Sequence, residues 1–209
     1  MRWGMVIKLK RCVGCQTCLV ACSFGNAFPP TNYQNKTIDY EEGEFPDVER
    51  VLLPALCMHC GEAPCEDVCP TDAIQRTESG VVWIDYNECI GCKSCMLVCP
   101  YGVISFFDGD VGRYEGLPIG ERIKREYPKD VCIKCDLCRE RVEKGLEKGL
   151  EPGEDLEATP LCVIRCPTEA RVFGDLDDSD SEVSKLIKEE KGFQLYPQYE
   201  TDPAVYYVR

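Results

Sequence analysis

The spacing of the cysteines constrains the fold of this chain more than any other feature of its sequence. In the stretch CIGCKSCMLVCP, residues 89 to 100, four cysteines are separated by two, two and three residues, and a proline follows the last of them. This is a spacing with which thiolates hold 4Fe-4S clusters. Three thiolates on one tight loop can bind three corners of a cube, while the fourth, a helical turn further on, points toward a second cube. The stretch therefore predicts an iron-sulfur site.

Two other uses of dense cysteines fit this chain less well. The chain has 17 cysteines in 209 residues, an odd number, and its start, MRWGMVIKLKRC, has no apolar signal-peptide core. A disulfide framework is typical of shorter, secreted chains. Zinc usually takes paired C-x-x-C knuckles, whereas here a third cysteine closely follows each first pair, and His59 is the only histidine. We therefore interpret the thiols as ligands of iron-sulfur clusters.

The cysteine pattern recurs along the chain, so an internal repeat organises the protein. Four cubes would use sixteen of the 17 cysteines and leave one spare. Because Cys132, Cys135 and Cys138 share the same spacing, the residues alone leave open which of them is spare. The four groups are Cys12, Cys15, Cys18 and Cys22; Cys57, Cys60, Cys65 and Cys69; Cys89, Cys92, Cys95 and Cys99; and Cys132, Cys135, Cys138, Cys162 and Cys166.

Nearly the whole chain resembles a known family, from GMVIKLKRCVGCQTC through ECIGCKSCMLVCPYGVISF to CPTEARVFGDLDDSDSEVSKLI. The resemblance is to the four-cluster iron-sulfur subunits that accompany molybdopterin catalytic subunits of the dimethyl sulfoxide reductase family, including polysulfide, thiosulfate, tetrathionate and arsenate reductases. It implies a non-catalytic subunit with four 4Fe-4S clusters. Such a subunit passes single electrons between a catalytic subunit with molybdenum or tungsten and a membrane quinone subunit or soluble carrier. The alternative is a free polyferredoxin, or the corresponding subunit of a hydrogenase or aldehyde oxidoreductase.

The resemblance also implies how the thiols are shared. In the family, the fourth group has the pattern C-x-x-C, then an arginine, and then C-x3-C-P. In this chain Cys135, Cys138, Arg141, Cys162 and Cys166 match that pattern. The resemblance therefore implies that Cys132 is unligated. The interval over residues 139–161 is longer than the family usually shows. Groups one and four exchange their last cysteines, and so do groups two and three. The implied ligand sets are Cys12, Cys15, Cys18 and Cys166; Cys135, Cys138, Cys162 and Cys22; Cys57, Cys60, Cys65 and Cys99; and Cys89, Cys92, Cys95 and Cys69.

Short β-rich runs adjoin the predicted cluster loops, and single helical turns lie inside them. The runs are WGMVIKL, GVVWIDY, GVISFF and ARVFG, and the turns are LVAC and MLVC. We expect an α+β fold in which two ferredoxin-like halves, related by a pseudo-twofold axis, form a single four-cluster domain over residues 1–209. The inner half is residues 48–107, the outer half combines residues 1–25 with 130–175, and a helix and tail occupy residues 176–209.

Three segments lack cluster cysteines, namely residues 23–47, 108–131 and 139–161. Their glycine, proline and charged residues predict long surface loops inserted between the cluster motifs. Loops of this length are often used for partner contact, which we expect of the first two. In the third, EKGLEKGLEPGEDLE indicates a solvated helix as an alternative.

The C-terminal stretch DSDSEVSKLIKEEKG predicts a short amphipathic helix. Serine or aspartate would cap its start and Gly192 would end it. Its apolar face would carry Val183, Leu186 and Ile187. We expect this helix to be structural.

Composition excludes several classes of function. The net charge of -13, without a basic block, argues against nucleic-acid binding, and no stretch is apolar for long enough to span a bilayer. No nucleophile and base converge in the sequence, and iron bound by four thiolates has no open position for substrate. His59, between Cys57 and Cys60, is expected to tune a cluster. Since long apolar runs are few, cluster binding should contribute much of the folding free energy.

Localisation stays open at this level. The chain starts without a twin-arginine leader. Subunits of the kind it resembles often cross the membrane folded, together with a partner that has such a leader. The sequence therefore leaves two alternatives, a periplasmic and a cytoplasmic location, each peripheral to the membrane.

Overall fold

Cysteine loops alternate with short helices and strands along the whole chain. The computed structural model describes all residues, 1–209. The mixture of helices and strands confirms the α and β character expected. The helices are α1 (Thr17–Gly25), α2 (Pro64–Asp67), α3 (Ser94–Val98), α4 (Pro118–Glu126), α5 (Arg139–Glu147), α6 (Leu161–Ile164) and α7 (Glu182–Glu189). The strands are β1 (Trp3–Lys8), β2 (Lys36–Glu44), β3 (Asp47–Ala55), β4 (Ile74–Arg76), β5 (Val82–Ile84), β6 (Ser105–Phe107), β7 (Val131–Ile133), β8 (Arg171–Asp175) and β9 (Val205–Val208).

A three-stranded sheet joins the two ends of the chain. Strand β1 lies in its centre, antiparallel to β8 and parallel to β9, with Met5 opposite both Phe173 and Val205. Alternate side chains of β1 point to opposite faces of the sheet. Met5 therefore packs into the main core, whereas Val6 packs with Val183 of α7. Burial on both faces explains why β1 is almost continuously apolar.

The remaining strands form three separate antiparallel pairs. Strand β4 pairs with β5 and β6 pairs with β7, each over three residues. Strands β2 and β3 form a longer hairpin of nine paired residues, from Lys36 opposite Ala55 to Glu44 opposite Asp47. The β6–β7 pair brings the segment after the third cysteine group beside the start of the fourth group. All four apolar runs of the sequence contain a strand, as predicted.

The cluster loops of groups one and three have the same backbone conformation. Gly14 and Gly91 have φ angles of 66° and 65°, and Gln16 and Lys93, just before α1 and α3, have φ angles of 62° and 65°. Left-handed conformation at these positions turns the loop back so that successive thiols face the same side. The repeat in sequence is thus a repeat in backbone geometry. Helix α1 is longer than the single turn expected, because it continues to Gly25.

The expectation of loops is wrong for much of the three segments without cluster cysteines. Residues 36–44 form strand β2, residues 118–126 form helix α4, and residues 139–147 form helix α5. Pro118 begins α4 in the first helical turn, where its missing N–H is not needed. The alternative of a helix for the third segment is confirmed only in part, because α5 ends at Glu147 and residues 148–157 are turns and irregular structure.

Helix α7 confirms the expected C-terminal helix. The Ser181 side chain accepts a hydrogen bond from the Ser184 N–H at 3.2 Å and caps the helix start. Val183 is fully buried and lies with Val6 and Val208 in a small core cluster. The left-handed residue beyond the helix end is Lys191, and the following Gly192 donates its N–H to the Ile187 carbonyl. None of the helices combines the length and the apolar character that crossing a bilayer requires.

Candidate metal centres

Four thiols from groups two and three surround one cavity. Cys57, Cys60 and Cys65 line it together with Cys99. The other lining side chains are almost all apolar, including Val82 and Tyr101, among others. Burial raises the pKa of Cys60 to about 11 and that of Cys65 to about 12. A positively charged metal cluster would remove this penalty, because it binds the thiolate form.

A second cavity is formed by the complementary members of these two groups. Cys89, Cys92 and Cys95 line it together with Cys69. A fifth thiol, Cys132, also lies at this cavity. The Cys132 N–H donates to the Cys89 sulfur at 3.5 Å. The structure therefore places Cys132 beside groups two and three and not with the other cysteines of its own group.

The thiols of groups one and four are also brought together. Burial raises the pKa of Cys12, and the neighbouring thiols of Cys18 and Cys166 raise it further. Burial likewise raises the pKa of Cys22, and the thiols of Cys162 and Cys138 add to the increase. Three further pairs of thiols from different groups lie close enough to interact electrostatically: Cys22 and Cys135, Cys18 and Cys162, and Cys57 and Cys135.

Two of the predicted ligands differ from the rest by their exposure. Cys15 and Cys92 are exposed, whereas the other cysteines are buried or half-buried. Each follows a loop glycine and is flanked by exposed apolar side chains. These are Val13 and Val20 beside Cys15, and Ile90 and Leu97 beside Cys92.

Several hydrogen-bond donors point at the thiol sulfurs. Arg171 is buried, with 4% of its surface exposed, and donates to the Cys18 sulfur at 3.5 Å. The Ala170 N–H donates to the Cys166 sulfur at 3.3 Å. The Asn26 amide donates to two sulfurs, those of Cys22 and Cys138, at 3.6 and 3.8 Å. Such donors stabilise thiolates and raise cluster potentials.

A buried lysine lies between the inner and outer groups of thiols. Lys134 is 2% exposed and donates to the carbonyls of Val82 and Cys135. Burial disfavours its charge, but the nearby thiols of Cys57, Cys135 and Cys65 outweigh burial and raise its pKa. The ammonium group is therefore positioned to interact with both groups.

Arg171, Lys134 and Asn26 are not among the residues predicted from the sequence. Two features of the sequence could have indicated the first two. One is the arginine near the start of the otherwise apolar run ARVFG, and the other is the lysine directly before Cys135. Neither pattern distinguishes a buried charge from an exposed one, because the fold that covers them is formed by distant segments.

His59 is buried beside the same lysine. Its Nδ1 accepts a hydrogen bond from the Val82 N–H at 3.1 Å. Burial lowers the pKa of His59 well below its usual value, and Lys134 lowers it further. The imidazole is therefore neutral, and its proton lies on Nε2. That nitrogen has no hydrogen-bond partner within the protein.

Arg141, which the fourth cysteine motif singled out, does not contact a thiol. Its guanidinium donates to the Thr159 carbonyl at 2.8 Å and to the Leu156 carbonyl at 2.6 Å. Arg141 therefore fixes the segment between Cys138 and Cys162 against α5. This brings α6, which carries Cys162, back to the cluster loops.

The donor set fits iron-sulfur clusters. Cysteine thiols are the most numerous candidate ligands at both cavities, and thiolate-only sites are characteristic of zinc and iron-sulfur centres. A single zinc ion would require four sulfurs at about 2.3 Å from one point. No three His, Cys, Asp or Glu side chains converge closely enough to hold a single ion. The thiols are instead distributed around a volume, as a cube requires.

Comparison with known proteins agrees with this geometry. Two family profiles, each described as a 4Fe-4S dicluster domain, match residues 11–73 and 48–115. The chain is 40% identical to the arsenate respiratory reductase iron-sulfur subunit ArrB of Shewanella sp. strain ANA-3, over the whole chain and 97% of that protein. It is 38% identical to a protein of Halobacterium salinarum described as a dimethyl sulfoxide reductase iron-sulfur subunit, over 99% of the chain and 78% of that protein.

A third relative is the iron-sulfur cluster-binding subunit of menaquinone reductase from Nitratidesulfovibrio vulgaris. The identity is 34% over the whole chain and 89% of that protein. All three alignments include every cysteine group, since they span the chain from end to end or nearly so. The chain therefore belongs to the iron-sulfur, electron-transfer subunits of the dimethyl sulfoxide reductase family of molybdopterin oxidoreductases.

Proposed function

We propose that this chain holds four 4Fe-4S clusters and relays single electrons between a molybdopterin catalytic subunit and a second electron carrier. The observation that carries this proposal is the grouping of thiols from distant segments around shared volumes. Each cluster, when bound, accepts and releases one electron. The protein contributes thiolates, an apolar surrounding that excludes water, and hydrogen-bond donors directed at sulfur.

The proposed ligand sets are those implied by the family. Support for the inner two comes from the two cavities, each of which combines three thiols of one group with the last thiol of the other. Support for the outer two comes from the electrostatic neighbours of Cys12 and Cys22. We propose that Cys132 is unligated and that its N–H donates to the Cys89 sulfur.

The halves of the domain follow from the same pairing. We propose an inner half over residues 48–107, an outer half over residues 1–25 and 130–175, and a C-terminal helix and tail over residues 176–209. The matching backbone of the loops that hold Cys15 and Cys92 supports a pseudo-twofold relation between the halves. The regular elements in the intervening segments are insertions into this repeat.

The order of the sites defines an electron path. The outer sets adjoin each other, and so do the inner sets. Cys57 and Cys135 join the outer to the inner sets. Exposed Cys15 and Cys92 then mark the two ends of the path, where electrons enter and leave. The thiol pairs that join successive sets are Cys18 and Cys162, Cys135 and Cys57, and Cys65 and Cys95.

The partners supply the chemistry of the substrate. We propose that the chain is itself non-catalytic, because iron bound by four thiolates offers no open position. The names of the relatives include arsenate and dimethyl sulfoxide reductases and a menaquinone reductase. A molybdenum or tungsten subunit at one end, and a membrane quinone subunit or soluble carrier at the other, would fit these names. The complex would lie at the membrane surface, in the periplasm if the partner carries a twin-arginine leader and in the cytoplasm otherwise.

Metal analysis of the native complex tests this proposal. The complex is purified anaerobically from its host, and iron, molybdenum and tungsten are measured per mole of this chain. We expect about sixteen irons from this chain, in addition to any irons that a partner contributes, and one molybdenum or tungsten per complex. Iron without either metal would contradict the proposal and favour a free polyferredoxin or a hydrogenase subunit.

A further inference from the structure

The hairpin of β2 and β3, residues 36–55, projects from the body of the protein and is called the arm below. It pairs with no other strand, and all residues from 38 to 50 are exposed. Phe45 at its tip has 92% of its surface exposed. A two-stranded hairpin without a covering layer is at best marginally stable in water. The arm therefore lacks the packing that a free-standing hairpin would need.

One face of the arm carries four carboxylates that form no ion pair. Glu42 lies directly opposite Glu49, and Glu44 lies directly opposite Asp47, and all four side chains share one face. Like charges in this arrangement destabilise a strand pair. The single ion pair of the arm joins Arg50 to Asp39 at 2.5 Å, on the other face. Lys10, Arg50 and Arg209 line the adjoining groove with Glu42 and Glu49 but form no ion pair with them, so the four carboxylates can still pair with a cation from outside the chain.

The same face borders a groove that leads to a proposed cluster site. Tyr40, Val51 and Leu53 of the arm line one side, Phe193 and Leu195 of the body line the other, and the space between them is about 390 Å³. Cys12, a predicted ligand of the terminal outer cluster, also lines this groove. A polypeptide segment in the groove would therefore lie beside one end of the electron path.

We infer that the arm and its groove dock a segment of the molybdopterin catalytic subunit that carries apolar and Lys or Arg side chains. This inference rests on the proposed function. Apolar side chains of that segment would fill the groove and cover Phe45, and its cations would pair with Glu42, Glu49, Glu44 and Asp47. Docking would hold the partner's redox centre close to the cluster of Cys12.

Charge disfavours an anionic membrane surface and a second copy of the arm as the occupant. Residues 36–50 contain six acidic and two basic side chains. Membrane headgroups are commonly anionic, so they would repel the arm. A second copy of the arm would repel it as well, because it presents the same four carboxylates.

The first test is a charge reversal. E42K/E49K replaces one like-charge pair by another, so the arm's own stability changes little, but attraction to a cationic partner becomes repulsion. We expect the molybdenum or tungsten that co-purifies per chain to fall by roughly tenfold or more, with unchanged iron on this chain. The control E189K/E190K makes the same change in net charge at exposed positions in and just after α7 and should retain the metal.

The second test locates the partner by photo-cross-linking in the native complex. Phe45 is replaced by p-benzoylphenylalanine, and exposed Leu156 is replaced in the same way as a control. We expect position 45 to cross-link to the subunit that contains the pterin metal, and position 156 not to do so. A cross-link from position 45 to a second copy of this chain or to a membrane subunit would overturn the inference.

Failure of the inference is distinguishable from failure of the proposed function. If the wild-type complex contains molybdenum or tungsten and the E42K/E49K complex retains the same amount, only the role of the arm is overturned. A wild-type complex without molybdenum or tungsten would overturn the proposed function.

Discussion

At the scale of single residues, the placement of Cys132 and Cys138 is the most informative detail. The two thiols have equivalent positions in the spacing of CIKCDLC, so the sequence alone leaves both as candidate ligands. In the fold, Cys138 receives a hydrogen bond from Asn26 beside Cys22, whereas Cys132 lies at the cavity of Cys89 and Cys95. The difference arises because Cys132 belongs to strand β7 and the turn before Cys138 redirects the chain.

Substitution by serine separates these two thiols. We expect C132S to retain about sixteen irons per chain, because none of the four proposed ligand sets uses the Cys132 thiol. C138S should lose iron and the signal of one cluster. Iron content and electron paramagnetic resonance of the reduced proteins measure both effects. Loss of iron from C132S with full retention in C138S would reverse the assignment.

Lys134 provides a second residue-level prediction. K134M removes a cation close to the thiols of Cys57 and Cys135, and a nearby cation favours the more negative, reduced state of a cluster. We therefore expect lower midpoint potentials for the two central clusters in a redox titration followed by electron paramagnetic resonance. The carbonyls of Val82 and Cys135 also lose their donor, at a cost of about 1–3 kcal/mol.

Lys129 offers a matched control for this change. Its side chain is 71% exposed and pairs only with exposed Asp130, at 3.7 Å. K129M should leave all midpoint potentials unchanged. Equal potentials in K134M and the wild type would show that the buried ammonium has no influence on the clusters.

At the scale of elements, the cluster loops depend on glycines that the backbone requires. Gly91 has a φ angle of 65°, and a Cβ atom there would lie 2.1 Å from the backbone oxygen of Asp130. Gly102 also has a positive φ angle, 58°, but a Cβ atom there would meet nothing within 4 Å. The two positions share the backbone strain of a substitution and differ in the space around it.

This contrast predicts different outcomes for the same substitution. G91A should lose iron from the site of Cys89, Cys92, Cys95 and Cys69, because the loop must move away from the β7 segment. G102A should keep its iron and lose about 1 kcal/mol of stability from the left-handed conformation alone. Iron content and the thermal midpoint of the clusters' visible absorbance measure these effects. Equal iron in both variants would contradict the account.

The two elements that the sequence did not predict, β2 and α4, share a physical property. Strand β2 and helix α4 bury little apolar surface: β2 has no buried residue, and α4 buries only Gly120 and Ile123. Hydrophobic periodicity identifies an element only where several apolar residues recur on one face, and α4 offers only Ile119 and Ile123 to its core cluster. Strand β1 and helix α7 were predicted correctly because each has residues packed in a core. The arm became visible only through its pairing with β3, which ends in the buried residues Pro54 and Ala55.

At the scale of the whole molecule, the thiols are part of the core. The largest hydrophobic cluster includes Cys57, Cys95, Cys135 and Cys162 among its buried residues. Without metal, these thiols surround cavities and gain little from packing. The family and the candidate ligands could be predicted from spacing alone, whereas the buried charges near them required the contacts between distant segments.

Removal of iron should therefore disrupt the fold. We expect anaerobic chelation to abolish most of the far-UV circular dichroism and amide-exchange protection, since cluster binding and folding are coupled. Protection should be lost in the three-stranded sheet as well, because β1 and β8 pack on the cluster loops. An iron-free chain with native circular dichroism would contradict this expectation.

The most direct test of the central claim is the amount of iron and acid-labile sulfide bound per mole of this chain after anaerobic purification. Four 4Fe-4S clusters predict about sixteen irons and about sixteen sulfides. About eight of each would reduce the path to two clusters, and zinc without sulfide would contradict an electron-transfer role.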